Sequence, residues 1–257
     1  MRLVTHSVVV CTSTHPGNEG DGDGDGDGDP GKGNQRTKKP TPKTTPVPRV
    51  MTMSSFTSLA LAPAPVVSFN IAVPSRTHDA IAASGRFNIH VLADDAAGAR
   101  VADWFAGWHR ASIKEDSHAN INGNRGAPGV GNGEGGGGVD DGSWAVLEGL
   151  KNEVDVLLPE RGEEGGVVEP PVLKGDGVLY VLKCRLLDQP MGGLVRVRDH
   201  VIVLGEVIEL VEGYGAMRKT EERFGLLYAD RRYRQLGRCI MPGEEVTVDG
   251  DERRTDG

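Results

Sequence analysis

The residues best suited to chemistry fall in two short stretches. The first, MTMSSFTS, gathers Thr52, Ser54, Ser55, Thr57 and Ser58 into one polar cluster ahead of an apolar run. The second, PSRTHDAI, sets Ser75, Arg76 and Thr77 at what reads as a helix start. A helix N-terminus presents unpaired backbone N–H groups and a partial positive charge. Two hydroxyls and a guanidinium added there make an anion site, best suited to a phosphate that arginine grips with two hydrogen bonds. Taken alone, PSRT is better read as a plain serine N-cap with a solvent-facing arginine, and MTMSSFTS as a polar turn. Taken together, they suit a phosphorylated, flat, mostly apolar ligand.

Other chemistries find little support. His6, His15, His78, His90, His109, His118 and His200 show no metal-ligand spacing, and no metal is expected. A G-x-S-x-G word and a nucleophile–base triad are not evident. Cys11, Cys184 and Cys239 are dispersed, which fits buried thiols in a reducing compartment better than a disulfide frame. The net charge of -8 argues against nucleic-acid binding, which wants a basic face. No run approaches the roughly 20 apolar residues of a membrane helix. The apolar core Val8-Val9-Val10 is too short for a secretion signal, so Ser7 to Thr14 reads as a strand. The cytosol is the expected compartment, with the mitochondrion as the alternative.

Glycine, at 37 of 257 residues, is concentrated rather than spread. One low-complexity segment, His15 to Pro48, passes from a Gly-Asp repeat to a Lys/Thr/Pro run and reads as a flexible insert. Asp21, Asp23, Asp25 and Gly26 resemble the start of a calcium loop, but Lys32 stands where a bidentate Glu is needed. A second segment, Ile121 to Ser143, is too glycine-rich to fold, and Glu160 to Pro171 is a weaker irregular stretch. The expected organisation is a first barrel strand over 1–14, an insert over 15–48, a first domain part over 49–110, a Gly-rich disordered insert over 111–143, a second part over 144–238 and an acidic tail over 239–257.

Strand-like runs occupy Val66–Val73, Phe87–Ala93, Val178–Leu187 and His200–Val211. A helix is expected over Arg76–Ser84, with Ser75 as N-cap and Gly85 as the stop. Another begins near Asp94, with Val101, Trp104, Phe105 and Trp108 as a core-facing stripe. Strands dominate and the helices are short. A mainly β fold follows, an antiparallel, closed or partly closed barrel with attached helices.

Four linked words, MTMSSFTSLALAPAPVVSFNI, SRTHDAIAASGRFNIHVLA, DHVIVLGEVIELV and LLYADRRYRQLG, together resemble the flavin reductase-like, FMN-binding split-barrel family. The resemblance covers Met1 to about Thr14, Val50 to about Trp108 and Val172 to about Gly237. It implies a six-stranded antiparallel split barrel, usually a homodimer, with FMN near the dimer interface. Thr52, Ser54, Ser55, Phe56 and Thr57 would line the isoalloxazine and ribityl chain, and Phe69 and Asn70 would continue that wall. Ser75, Arg76 and Thr77 would take the phosphate. His200 matches the histidine of the family's G-D-H word, near the flavin and nicotinamide, although Arg198 replaces the glycine. Tyr233 matches a tyrosine close to the ring.

The resemblance implies an FMN-dependent NAD(P)H:flavin oxidoreductase, with NAD(P)H as co-substrate and with either free flavin or a partner monooxygenase as the receiver. Such chemistry asks the protein mainly for positioning and electrostatics. The alternative is a non-catalytic FMN-binding or flavin-carrier protein. Read without the family, His200 is a surface histidine at a strand edge. Arg231, Arg232, Arg234 and Arg238 around Tyr233 form either a solvated basic face or an attractor for the pyrophosphate of NAD(P)H. The first insert is expected to begin close to the flavin wall. The resemblance implies a leading helix in many relatives, and the expectation from Met1 onward is a first strand in its place.

Overall fold

Side chains that alternate with a period of two give several valine-rich segments one face for the core and one for something else. The computed structural model describes residues 4–17, 46–117, 143–150, 154–157, 168–217 and 223–237. Its strands and helices run β1 (His6–Ser7), β2 (Val9–His15), β3 (Val47–Met53), β4 (Thr57–Ala60), β5 (Val66–Ala72), α1 (Arg76–Ser84), β6 (Arg86–Leu92) and α2 (Ala96–Ser117). They continue with α3 (Ser143–Gly149), β7 (Asp155–Leu157), β8 (Val172–Lys174), β9 (Val178–Leu186), β10 (Leu194–Val197), β11 (His200–Glu212), β12 (Leu227–Ala229) and β13 (Arg232–Arg234).

The main sheet is antiparallel, in the order β3-β2-β6-β9-β11-β5-β4, with β10 paired to β11. Six strands turn one face inward. Cys11 of β2, Met53 of β3, Phe69 and Ile71 of β5, Phe87 and Ile89 of β6, Cys184 of β9 and Val203 of β11 form a single core, closed by Ile81 of α1. This is the interior of the expected split barrel. Phe69 and Phe87 meet there edge to face at 5.3 Å. The opposite faces of β2, β6 and β9 carry Val10, Leu92 and Val181, joined by Val8 just before β2 and covered by Val101 and Phe105 of α2 and by Val146 and Leu147 of α3.

The helix over Arg76–Ser84 is as expected. The Ser75 hydroxyl accepts the His78 N–H at 3.3 Å, and Gly85 ends the helix at φ 67°, where a side chain is disfavoured. The four expected strand runs match β5, β6, β9 and β11 to within a residue. The α2 stripe needs correction. Val101 and Phe105 are buried, but Trp104 is 44% exposed. Its indole N–H donates to the Val146 carbonyl at 3.1 Å, which holds the ring at the rim between α2 and α3. The Trp108 side chain lies outside the described residues.

Domain boundaries also shift. β3 begins at Val47, inside the segment assigned to the first insert, and α2 continues to Ser117, past the expected break at 110. The first insert leaves from His15, which pairs with Val47 at the opposite end of the β2–β3 hairpin from the Val9–Met53 pair. It therefore does not begin beside the expected flavin wall. The Gly-Asp run, most of the Gly-rich segment, Cys239 and the acidic tail lie outside the described residues. Cys11 and Cys184 are free and buried. Burial pushes the Cys184 thiol up to about 12 and the Cys11 thiol well above its ordinary value.

The stretch read as irregular up to Pro171 ends in a tightly held strap. Thr12 Oγ1 donates to the Pro171 carbonyl at 2.6 Å, and Thr14 Oγ1 to that of Glu169 at 3.1 Å. Asn88 Nδ2 donates to the carbonyls of Pro170 and Pro171, both at 3.1 Å. His90 Nε2 accepts the Leu173 N–H at 3.0 Å, while Nδ1 lies 3.1 Å from the Val10 carbonyl. The ring is therefore neutral, with its proton on Nδ1.

Burial lowers the His90 pKa to about 4, against a hydrogen bond to Val10 that acts the other way. The unfolded chain protonates this residue near pH 6.5 and the folded one near 4. Stability from this group is full above pH 6.5 and is lost as pH falls toward 4, by roughly 3 kcal/mol. Urea unfolding from pH 7 to 4 should show that loss in the wild type and a smaller one in His90→Asn.

Candidate functional site

The barrel's seam lies where β3 crosses to β4 through Ser54–Phe56. Ser55 Oγ accepts the Asn70 N–H at 2.9 Å and donates to the Asn70 carbonyl at 3.2 Å. One hydroxyl thus serves both backbone groups that a neighbouring strand would have paired. Ser7 Oγ, donating to the Phe56 carbonyl at 3.0 Å, ties the same turn to β1. Phe56 is half-buried against the barrel core. Thr52 Oγ1 donates to the Ala102 carbonyl at 3.0 Å and so anchors α2. Of the cluster, the hydroxyls of Thr52 and Ser55 are occupied in holding the fold, whereas Ser54 and Thr57 are exposed.

β5 carries the wall onward with one correction. Phe69 is 1% exposed and Asn70 is exposed, because neighbouring strand residues point to opposite faces. The Phe69 side chain belongs to the core and offers no surface to a ligand. On the outer face, Asn70 stands opposite Ile202 and Ala72 opposite His200. The Val73 N–H donates to the Asp199 carbonyl at 2.9 Å, so the start of β11 lies against the chain that enters α1. Ser75 caps that helix, Arg76 is exposed and Thr77 is 7% exposed.

His200 follows a two-residue turn in which Arg198 adopts φ 55°, the left-handed region that glycine favours. Arg198 thus takes a backbone conformation that glycine adopts without strain. His200 Nδ1 lies 3.0 Å from Asp199 Oδ1, and this hydrogen bond holds the Asp199 carboxyl below its ordinary value.

Tyr233 belongs to the β12–β13 hairpin, which pairs with β1, and its ring meets Tyr228 at 5.7 Å. It borders a cleft of about 270 Å³ together with Thr52, Ser54, Asp103 and Arg231. Tyr233 is therefore joined to the Thr52–Ser54 end of the site, and His200 to the α1 end. A second cleft, of about 640 Å³, is bordered by Arg100, Asp103, Trp104, Gly149, Leu150 and Tyr233. Sequence reasoning missed it, because Trp104 was assigned to the core and α3 was not foreseen. The i, i+4 spacing of Arg100 and Trp104 on one helix face was the available signal.

The profile of the flavin reductase-like domain matches residues 1–135, and the chain belongs to that family. It is thereby classed with the flavin reductases, which are oxidoreductases. His200 and Tyr233 lie beyond the matched residues. Among solved structures, the chain is similar to nitrilotriacetate monooxygenase component B from Mycobacterium thermoresistibile. Identity is 19%, with a TM-score of 0.50, over 95% of this chain and 88% of that one. At that identity the likeness is one of fold. It is also similar to the NADH:FAD oxidoreductase SgcE6 of Streptomyces globisporus, with 21% identity, TM-score 0.48, and coverage of 91% and 88%. The flavin reductase of styrene monooxygenase from Pseudomonas putida gives 15%, 0.47, and coverage of 93% and 96%. No curated protein sequence matches the chain significantly.

Ser55→Ala removes both bonds at the seam while Asn70 stays within reach of water. The expected cost is about 1 kcal/mol, read as a lower urea midpoint with an unchanged slope.

Proposed function

We propose that the protein is an FMN-dependent NAD(P)H:flavin oxidoreductase, a flavin reductase that supplies reduced flavin to a partner monooxygenase. The observation that carries this reading is the placement of Thr57, Asn70 and His200 on one outer face of a flavin reductase-like barrel, beside the chain that enters α1. The donor set fits FMN. Exposed hydroxyls at Ser54 and Thr57 suit a ribityl chain, and the exposed Arg76 at the start of a helix suits its phosphate, with Ser75 as the cap and Thr77 offering its backbone rather than its buried side chain. When bound, FMN supplies the acceptor for the hydride of NAD(P)H.

The chain's own part is positional. Arg76 and the first-turn amides of α1 neutralise and orient the phosphate. Asn70 and Ser54 offer hydrogen bonds to a polar heterocycle edge. His200, oriented by Asp199, holds a proton near that edge. Tyr233 walls the Ser54 end and limits the approach of water. Val197 of β10, 49% exposed, and Ile202, half-exposed, share this outer face, which suits coverage by a second copy in a homodimer. The buried free thiols fit a reducing compartment, the cytosol first.

A second reading, a flavin carrier without turnover, is favoured by the placement of His200 and Tyr233 at different ends of the site. The visible spectrum of the protein loaded with FMN, followed by anaerobic addition of NADH or NADPH, separates the two. A flavin spectrum that bleaches is expected. A flavin spectrum that persists leaves the carrier, and failure to retain FMN removes both. Arg76→Ala should weaken FMN binding by at least about tenfold in a fluorescence titration, from loss of charge-assisted hydrogen bonds.

A further inference from the structure

We propose that the cleft between α2, α3 and β13 binds the adenosine diphosphate half of a dinucleotide, the moiety that NADH, NADPH and FAD share. The placement of the redox half beside Ser54 rests on the proposed function, whereas the cleft's own chemistry does not.

Its volume of about 640 Å³ falls within the range of small-molecule sites. Trp104 forms one wall. A tryptophan 44% exposed on a helix where Val101, Ala102 and Phe105 are buried needs a reason, and its surroundings supply one. Its indole N–H is held by the Val146 carbonyl. Gly149 lies so close that a Cβ there would stand 2.7 Å from Trp104 Cζ2. The ring is thus fixed by α3 on one side and open on the other, which is the form of a stacking platform for a planar base.

The polar groups around it complete the match. Arg100 lies one turn from Trp104 on α2 and is exposed at the cleft, where its guanidinium suits a diphosphate. Asp103, also at the cleft, carries a carboxylate that accepts hydrogen bonds from ribose hydroxyls. Asp103 and Tyr233 border both clefts, so the larger one adjoins the smaller one, which Thr52 and Ser54 line. A dinucleotide whose redox half lies at the Ser54 turn passes Tyr233 and sets its adenine on Trp104.

The test uses the full chain, with ADP as the probe and reduced nicotinamide mononucleotide as the truncated substrate. ADP should bind the wild type and quench tryptophan emission, with affinity about tenfold weaker in Trp104→Leu and in Arg100→Ala. The second variant, on an exposed helix face, keeps the test if the first fails to fold. The ratio of kcat/KM for NADH to that for the mononucleotide should fall about tenfold in either variant. If the loss falls instead on the preference for FAD over FMN, the occupant is FAD, and the site stands. Absence of ADP binding, or equal effects on NADH and the mononucleotide, overturns the proposal. A wild type that binds ADP through Trp104 but oxidises no nicotinamide refutes the reductase reading and leaves this site in place.

Discussion

Backbone N–H and C=O groups that lack a strand partner must be satisfied some other way, and this chain does so twice with side chains, once at its surface and once in its interior. At the seam, Ser55 takes both polar groups of Asn70. At the strap, Thr12, Thr14, Asn88 and His90 reach the backbone of residues 169–173. Proline at 170 and 171 has no N–H to give to a ladder, so the strap can offer only carbonyls there. Donors from Thr12 and Asn88 answer them. Polar residues buried at those positions would be costly unpaired, and paired they fix one arrangement of the strap.

The seam explains why the candidate site lies where it does. A ladder would have covered the backbone edge of β5 with another strand. A single serine leaves Ser54, Thr57 and Asn70 open to solvent beside the helix start. The pleat then sorts the rest: Phe69 goes to the core, while Asn70, Ala72, Ile202 and His200 share the outside. The hydroxyls of Thr52 and Ser55 hold the scaffold and those of Ser54 and Thr57 are exposed, so the cluster that looked uniform in sequence divides into two kinds.

Much of the fold was legible because it is local. The Ser75 cap, the Gly85 stop and the β-branched runs of β5 and β11 carry their own signals. The misreadings have a common cause. Trp104 has the spacing of a core residue, and only the arrival of α3, far along the chain, holds it at a rim. Residues 168–171 look like loop, and their burial depends on polar partners at Thr12 and Asn88, more than 80 positions away. β3 hides behind a low-complexity prefix, with Pro48 and Arg49 weakening its strand pattern. In the site, the serines and threonines were found by type, but which hydroxyls were already taken is a tertiary fact.

The β2–β3 hairpin has a further consequence. Its pairs run from Val9–Met53, beside the seam, to His15–Val47, where the long connecting segment departs. Seven residues of extended chain separate those ends by roughly 20 Å. The connection therefore departs from the end of the hairpin far from the seam, and the cost of closing it grows only with the logarithm of its length. An experimenter can use that point of departure, rather than the seam itself, to graft a reporter domain.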